Sequence, residues 1–157
     1  MMLYIGIDPG VNGGIAWQHE RGDSVTVHAV KMPDSLRDLS DLLASLVETD
    51  KLKSCALEKV ASRTGQGVRS IFTFGYQYGI VRASVVCHKI PLELVSAQRW
   101  QKPFGLIFPA TVKRTQKKNQ HKAKAQELFP HLKVTHATAD ALLICDYWRR
   151  YHKGVAE

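Results

Sequence analysis

The chain has 157 residues and a mass of 17.6 kDa, a length that predicts a single domain over 1–157 with a real core. Hydrophobic residues make up 45% and charged residues 23%, which excludes a disordered chain, and no apolar run reaches the ~18 residues of a membrane helix. Lys and Arg number 22 against 14 Asp and Glu, a formal charge of +8 that points to a polyanionic partner.

The elements follow in chain order. Leu3–Asp8 alternates as a strand ending on an acid, and Pro9, Gly10, Asn12, Gly13 and Gly14 form the turn after it. Ile15–His19 and Ser24–Val30 read as two more strands around a Glu20–Asp23 hairpin turn. Pro33-Asp34-Ser35 opens a helix with Leu36, Leu39, Leu43 and Leu46 at helical spacing. Lys53–Val60 is a fourth strand, again with an acid, Glu58, near its end. A polar loop, Ser62–Gln66, leads into a long helix over 67–88, whose expected apolar stripe is Ile71, Phe72, Tyr76, Ile80 and Val81. Leu92–Val95 is a short strand and Ala97–Phe104 a short helix. Gly105–Thr115 reads as irregular and mobile, Gln116–Phe129 as a basic helix stopped by Pro130, and Thr138–Tyr151 as the last helix. The expected fold is α/β, a mixed five-stranded sheet flanked by helices.

Cys55, Cys87 and Cys145 are odd in number and lie outside any CxxC spacing, which predicts a reducing compartment, the cytoplasm, and no zinc ribbon. The start, MMLYIGID, lacks the basic and cleavage regions of a secretory signal. Positive charge is clustered. The stretch 99–126 holds Arg99, Lys102, Lys113, Arg114, Lys117, Lys118, Lys122 and Lys124 and no acid, unlike a solvated helix face that mixes both signs.

Three acids stand where chemistry needs them. Asp8 ends a central strand beside glycines that let a polyanion approach the backbone. Glu58 sits inside an apolar strand, where burial is costly unless something pairs with it. Asp140 lies early in the last helix between small residues Ala137, Ala139 and Ala141, which permit close packing on a sheet. Each also has a plainer reading: a turn cap for Asp8, a surface pair with Lys59 for Glu58, a helix-dipole partner for Asp140.

The blocks IGIDPG, ALEKV and ATADALLI resemble the three signature blocks of RuvC-like Holliday-junction resolvases, which have a ribonuclease-H-like fold. Gly65-Gln66-Gly67-Val68, Phe72, Phe74-Gly75, Tyr78-Gly79, Ile90-Pro91, Trp100 with Lys102, and Leu128-Phe129-Pro130 resemble the phage-borne branch of that family. The resemblance implies a metal-dependent, structure-selective endonuclease that resolves four-way junctions as a homodimer in a bacterial or phage-infected cell. Two Mg²⁺ ions, with Mn²⁺ as a substitute, are implied on Asp8, Glu58 and Asp140. The family's fourth acid, one helical turn before the last, is missing here. His136, four residues before Asp140, shares its face if the helix begins that early, and it is the fourth candidate as ligand or general acid/base. Asp146 lies too far round the helix to substitute.

The candidate phosphate contacts are Arg63, Arg69, Lys113, Arg114, Lys117, Lys118, Lys122 and Lys124, with Lys118 nearest the position of the family's active-site lysine. The aromatics Phe72, Phe74, Tyr76 and Tyr78 are expected mostly in the core, with base stacking as the alternative. His121 is expected in solvent, and Trp100 and Trp148 as core or dimer anchors. The rival readings are a YqgF-type RNA-processing nuclease and a junction-binding protein without cleavage. An actin-like ATPase is set aside because its two lobes exceed this length.

Overall fold

The computed structural model describes residues 2–49, 52–61, 65, 67–152 and 154. Its elements are β1 (Met2–Asp8), β2 (Gly14–Arg21), β3 (Ser24–Lys31), α1 (Leu36–Thr49), β4 (Leu52–Lys59), α2 (Val68–Cys87), β5 (Leu92–Ser96), α3 (Ala97–Gln101), a 3-10 turn (Lys102–Phe104), α4 (Arg114–Leu128) and α5 (His136–His152). The sheet runs β3-β2-β1-β4-β5, with β1–β2 and β2–β3 antiparallel and β1–β4 and β4–β5 parallel. This is the mixed five-stranded sheet expected.

Period-2 alternation sends the two sides of each central strand to different cores. Leu3, Ile5, Ile7, Ile15, Cys55 and Leu57 pack with Leu39, Leu43 and Leu46 of α1 and Val81 and Val85 of α2. Tyr4, Ala16, Ala56 and Val95 pack on the other side with Trp100, Ala125 of α4 and the long buried run of α5. Trp100 and Trp148 are both buried there, and the Trp148 Nε1 donates to Ser54 Oγ at 2.9 Å.

Two helices begin earlier than the sequence pattern suggested, each for a local reason. Thr135 and Thr138 cap each other: Thr138 N donates to Thr135 Oγ1 (3.3 Å) and Thr135 N to Thr138 Oγ1 (3.0 Å). α5 therefore starts at His136. The Gln116 side chain accepts from the Lys113 backbone N–H at 3.1 Å, so α4 starts at Arg114.

α2 departs more. Phe72 and Tyr76 are exposed and stack on each other (ring centres 6.4 Å apart), instead of joining the buried stripe. Phe74 and Tyr78 are half-buried, and the fully buried residues of the helix are Val81, Ser84 and Val85. The aromatics Phe72 and Tyr76 of its first half are thus not core, because α2 joins the α1-side core along its second half, through Tyr78, Ile80, Val81 and Val85. No helix among the described residues is long and apolar enough to cross a membrane.

Candidate active site

Asp8 and Glu58 come to the same end of the sheet because β1 and β4 are parallel neighbours. Gly6 pairs with Ala56 and Ile7 with Leu57, so the next positions, 8 and 58, lie abreast on the face turned to α5. That face is unusually close to its helix. A Cβ on Gly6 would meet the Ala141 carbonyl oxygen at 2.6 Å and one on Gly14 the Ala137 carbonyl oxygen at 2.6 Å. Glycine at both positions lets the first turns of α5 rest on the backbone of β1 and β2, which brings Asp140 over the end of β1.

Asp140 and Asp8 repel one another. Burial, and then the Asp140 charge, push the Asp8 carboxyl up from 3.8 to about 6. The Gly10 N–H, which donates to Asp8 Oδ1 at 3.3 Å, and the charges of Lys118 and His121 pull it partly back. Asp140 has its own partner: His121 Nδ1 donates to Asp140 Oδ1 at 2.8 Å. His121 is a correction to the sequence reading, for its side chain is 9% exposed instead of solvated. Its ring lies 5.4 Å from that of Trp100, edge-on, and 6.5 Å from that of Phe108. The signal was the spacing His121–Ala125–Phe129, the one apolar stripe on an otherwise polar helix.

Beside Asp8 opens a cleft of about 720 Å³, lined by the Gly10–Gly13 turn, by Arg69, Ser70, Thr73 and Phe74 of α2, and by Arg114 and Lys118 of α4. Arg69 comes from the first turn of α2; Arg114 and Lys118 lie one helical turn apart on α4. Three of the candidate phosphate contacts thus converge on one acid. Lys113 is exposed just before α4, and Lys117 and Lys122 are half-buried on it. Lys124 is held by Glu127 at 2.9 Å. Arg63, with most of the Ser62–Gln66 loop, lies outside the described residues.

The expected four-residue cluster is not drawn together in full. Glu58 is half-buried, has an interaction of its own, and does not wall the cleft. His136 is exposed on the first residue of α5, so the condition for sharing a face with Asp140 is met, yet the ring bonded to Asp140 belongs to His121. Among the described residues no three His, Cys, Asp or Glu side chains stand close enough to hold one metal ion. The nucleus of the site is the Asp8–Asp140 pair, with a basic cleft beside Asp8 and His121 bonded to Asp140.

No protein-family model matches the chain, and no curated protein sequence does. Solved structures do match. The RuvC structure from Thermus thermophilus superposes with a TM-score of 0.60 at 13% identity, covering 99% of both chains. The same organism's RuvC in complex with a Holliday junction substrate gives 0.61 at 14% identity over 100% of this chain and 99% of that one. The yeast mitochondrial Holliday junction resolvase gives 0.53 at 19% identity, over 98% of this chain and 79% of the other. At these identities the likeness is one of fold: the chain has the RuvC, ribonuclease-H-like fold.

Proposed function

We propose that the protein is a divalent-cation-dependent endonuclease that cleaves branched DNA, with the four-way junction as its substrate. The observation that carries this is Asp8, coupled to Asp140, in the lining of a cleft shared with Arg69, Arg114 and Lys118, on the fold of junction resolvases. Metal dependence, Mg²⁺ with Mn²⁺ as a substitute, and action as a homodimer belong to this proposal.

The residues present suit a hard divalent cation. Two carboxylates face each other in a partly buried site, and burial first, then their mutual repulsion, keeps the Asp8 proton on to about pH 6. A cation between them would remove that repulsion, and all-oxygen donors favour Mg²⁺ or Mn²⁺ over softer ions. Asp8 and Asp140 would hold it, with Glu58 abreast of Asp8 and His136 one turn before Asp140 as further donors. When bound, such ions supply activation of a water and neutralisation of charge on the leaving oxygen.

The chain's own part is positioning. Arg69, Arg114 and Lys118 would take phosphate oxygens on either side of the scissile bond, and so bring the backbone to the carboxylates instead of being repelled by them. The Gly10–Gly13 turn lines the same cleft, with exposed Val11 and Asn12 between its two glycines.

Labelled four-way, Y-shaped and linear DNA, incubated with the protein in Mg²⁺, Mn²⁺ or EDTA, tests this directly. Cleavage of the four-way junction alone, and only with a cation, is expected. Asp8→Asn should lose cleavage and keep the gel shift. Cleavage by Asp8→Asn at the wild-type rate, or equal cleavage of linear duplex, would overturn the proposal. A second reading, junction binding without cleavage, draws on the incomplete cluster around Asp8. It predicts a gel shift and intact strands in the same lanes.

A further inference from the structure

We infer that His121 is a positioning residue: it fixes Asp140 and, through its helix, sets the basic wall of the cleft in register with the carboxylate pair. The inference rests on the metal-dependent reading above and adds to it a residue that neither the acidic blocks nor the His136 expectation includes.

The placement of His121 has no other simple account. In α4, only His121 and Ala125 are fully buried, Leu128 at its end is half-buried, and the rest of the helix is polar or exposed. Burying an imidazole at that depth is unfavourable unless its polar atoms are paired. The pairing found is to Asp140 Oδ1 at 2.8 Å, across a sequence separation of nineteen residues and between two helices. An ionised carboxylate only accepts, so Nδ1 carries the hydrogen. The ring cannot swing away, since Trp100 lies edge-on to it and Phe108 stacks on it.

Two consequences follow from that geometry. Oδ1 of Asp140 accepts from His121, which fixes the plane of the carboxylate and so the direction of its remaining lone pairs. And Lys118, three residues earlier on α4, sits one turn from the pinned ring, with Arg114 a further turn back; both wall the cleft beside Asp8. One hydrogen bond therefore orients a ligand and places two phosphate contacts.

Mn²⁺ titration of the DNA-free protein, followed by the electron paramagnetic resonance of free Mn²⁺, reads the orientation without any turnover. Losing a partner that orients a ligand lowers metal affinity by roughly 10–100-fold, and His121→Ala should fall in that range. Asn places its amide N–H near the position of Nδ1 and Gln places it farther out, near Nε2. His121→Asn should therefore recover to within about threefold of wild type, while His121→Gln stays weak. Circular dichroism and thermal melts without divalent ions establish that each variant is folded.

Wild-type affinity in His121→Ala would overturn the inference and leave the metal-dependent reading intact. Equal weakness in all three variants would overturn it as well, since the donor's position would then be irrelevant. A wild-type protein that binds no Mn²⁺ would overturn both.

Discussion

Asp8 shows what the site costs the protein without a cation. Its carboxyl is raised above the unfolded value of 3.8 to about 6, so the folded state holds the proton more tightly than the unfolded state. Its contribution is therefore most favourable below pH ~4 and is lost as pH rises through ~6, a change on the order of 3 kcal/mol. Asp8→Asn removes the ionisation. In EDTA, the variant should melt above wild type at pH 8, with the gap closing as pH falls through 6 and gone near pH 4. Adding Mg²⁺ should raise the melting temperature of the wild type and leave Asp8→Asn nearly unmoved. Melting curves that keep a constant gap across this range would show that Asp8 is not held in the strained state described.

Between elements, the decisive contacts are α5 on β1 and α4 on α5. Gly6 is where α5 comes closest, with the backbone of Ala141 and Cys145 in the space a methyl group would take. Backbone cannot give as a side chain does, so Gly6→Ala should cost at least about 1–3 kcal/mol, measured by urea unfolding. It should also lower cleavage, because α5 carries Asp140. On α4 the lysines are not equivalent. Arg114→Gln and Lys118→Gln should each reduce the slope of log K against log salt for duplex arms by about 0.9. Lys124→Gln should change it little, since Lys124 is already held by Glu127. An unchanged slope in the first two variants would mean that DNA does not enter by this cleft.

Across the whole molecule the sheet separates two cores, and the cysteines report on them. Cys55 lies in the core under α1 and α2, and Cys145 in the core under α5, both fully buried. Burial pushes both thiols well above their ordinary range, while Cys87 at the end of α2 is exposed. Iodoacetamide at pH 8 should modify Cys87 alone in the folded protein and all three in denaturant, as read by mass spectrometry. Labelling of Cys145 at the rate of Cys87 would mean that α5 lifts from the sheet, and with it Asp140 from Asp8.

What the sequence determined by itself was whatever depends on neighbours along the chain. Alternation in 3–8 read as a strand ending on an acid, 53–60 read as a second strand with Glu58 near its end, and small residues around Asp140 marked a helix made to lie close on a sheet. Those local patterns, with the three motif blocks, were enough for the mixed sheet and for Asp8, Glu58 and Asp140 as candidates. The tertiary structure decided the rest. α2 is apolar on several sides at once, with Phe72, Phe74, Tyr76 and Tyr78 alternating between opposite sides within about two turns, so periodicity could not say which side the core would cover. Exposure of Phe72 and Tyr76 follows from where α2 crosses. His121 was harder still. A single histidine among lysines looks solvated along the chain, and its burial comes from α5, Trp100 and Phe108 closing around it. Which acids lie within each other's field was likewise a matter of distance: Asp8 with Asp140, across the gap that Gly6 and Gly14 allow, because a carboxylate feels the charge nearest in space and not the one nearest in sequence.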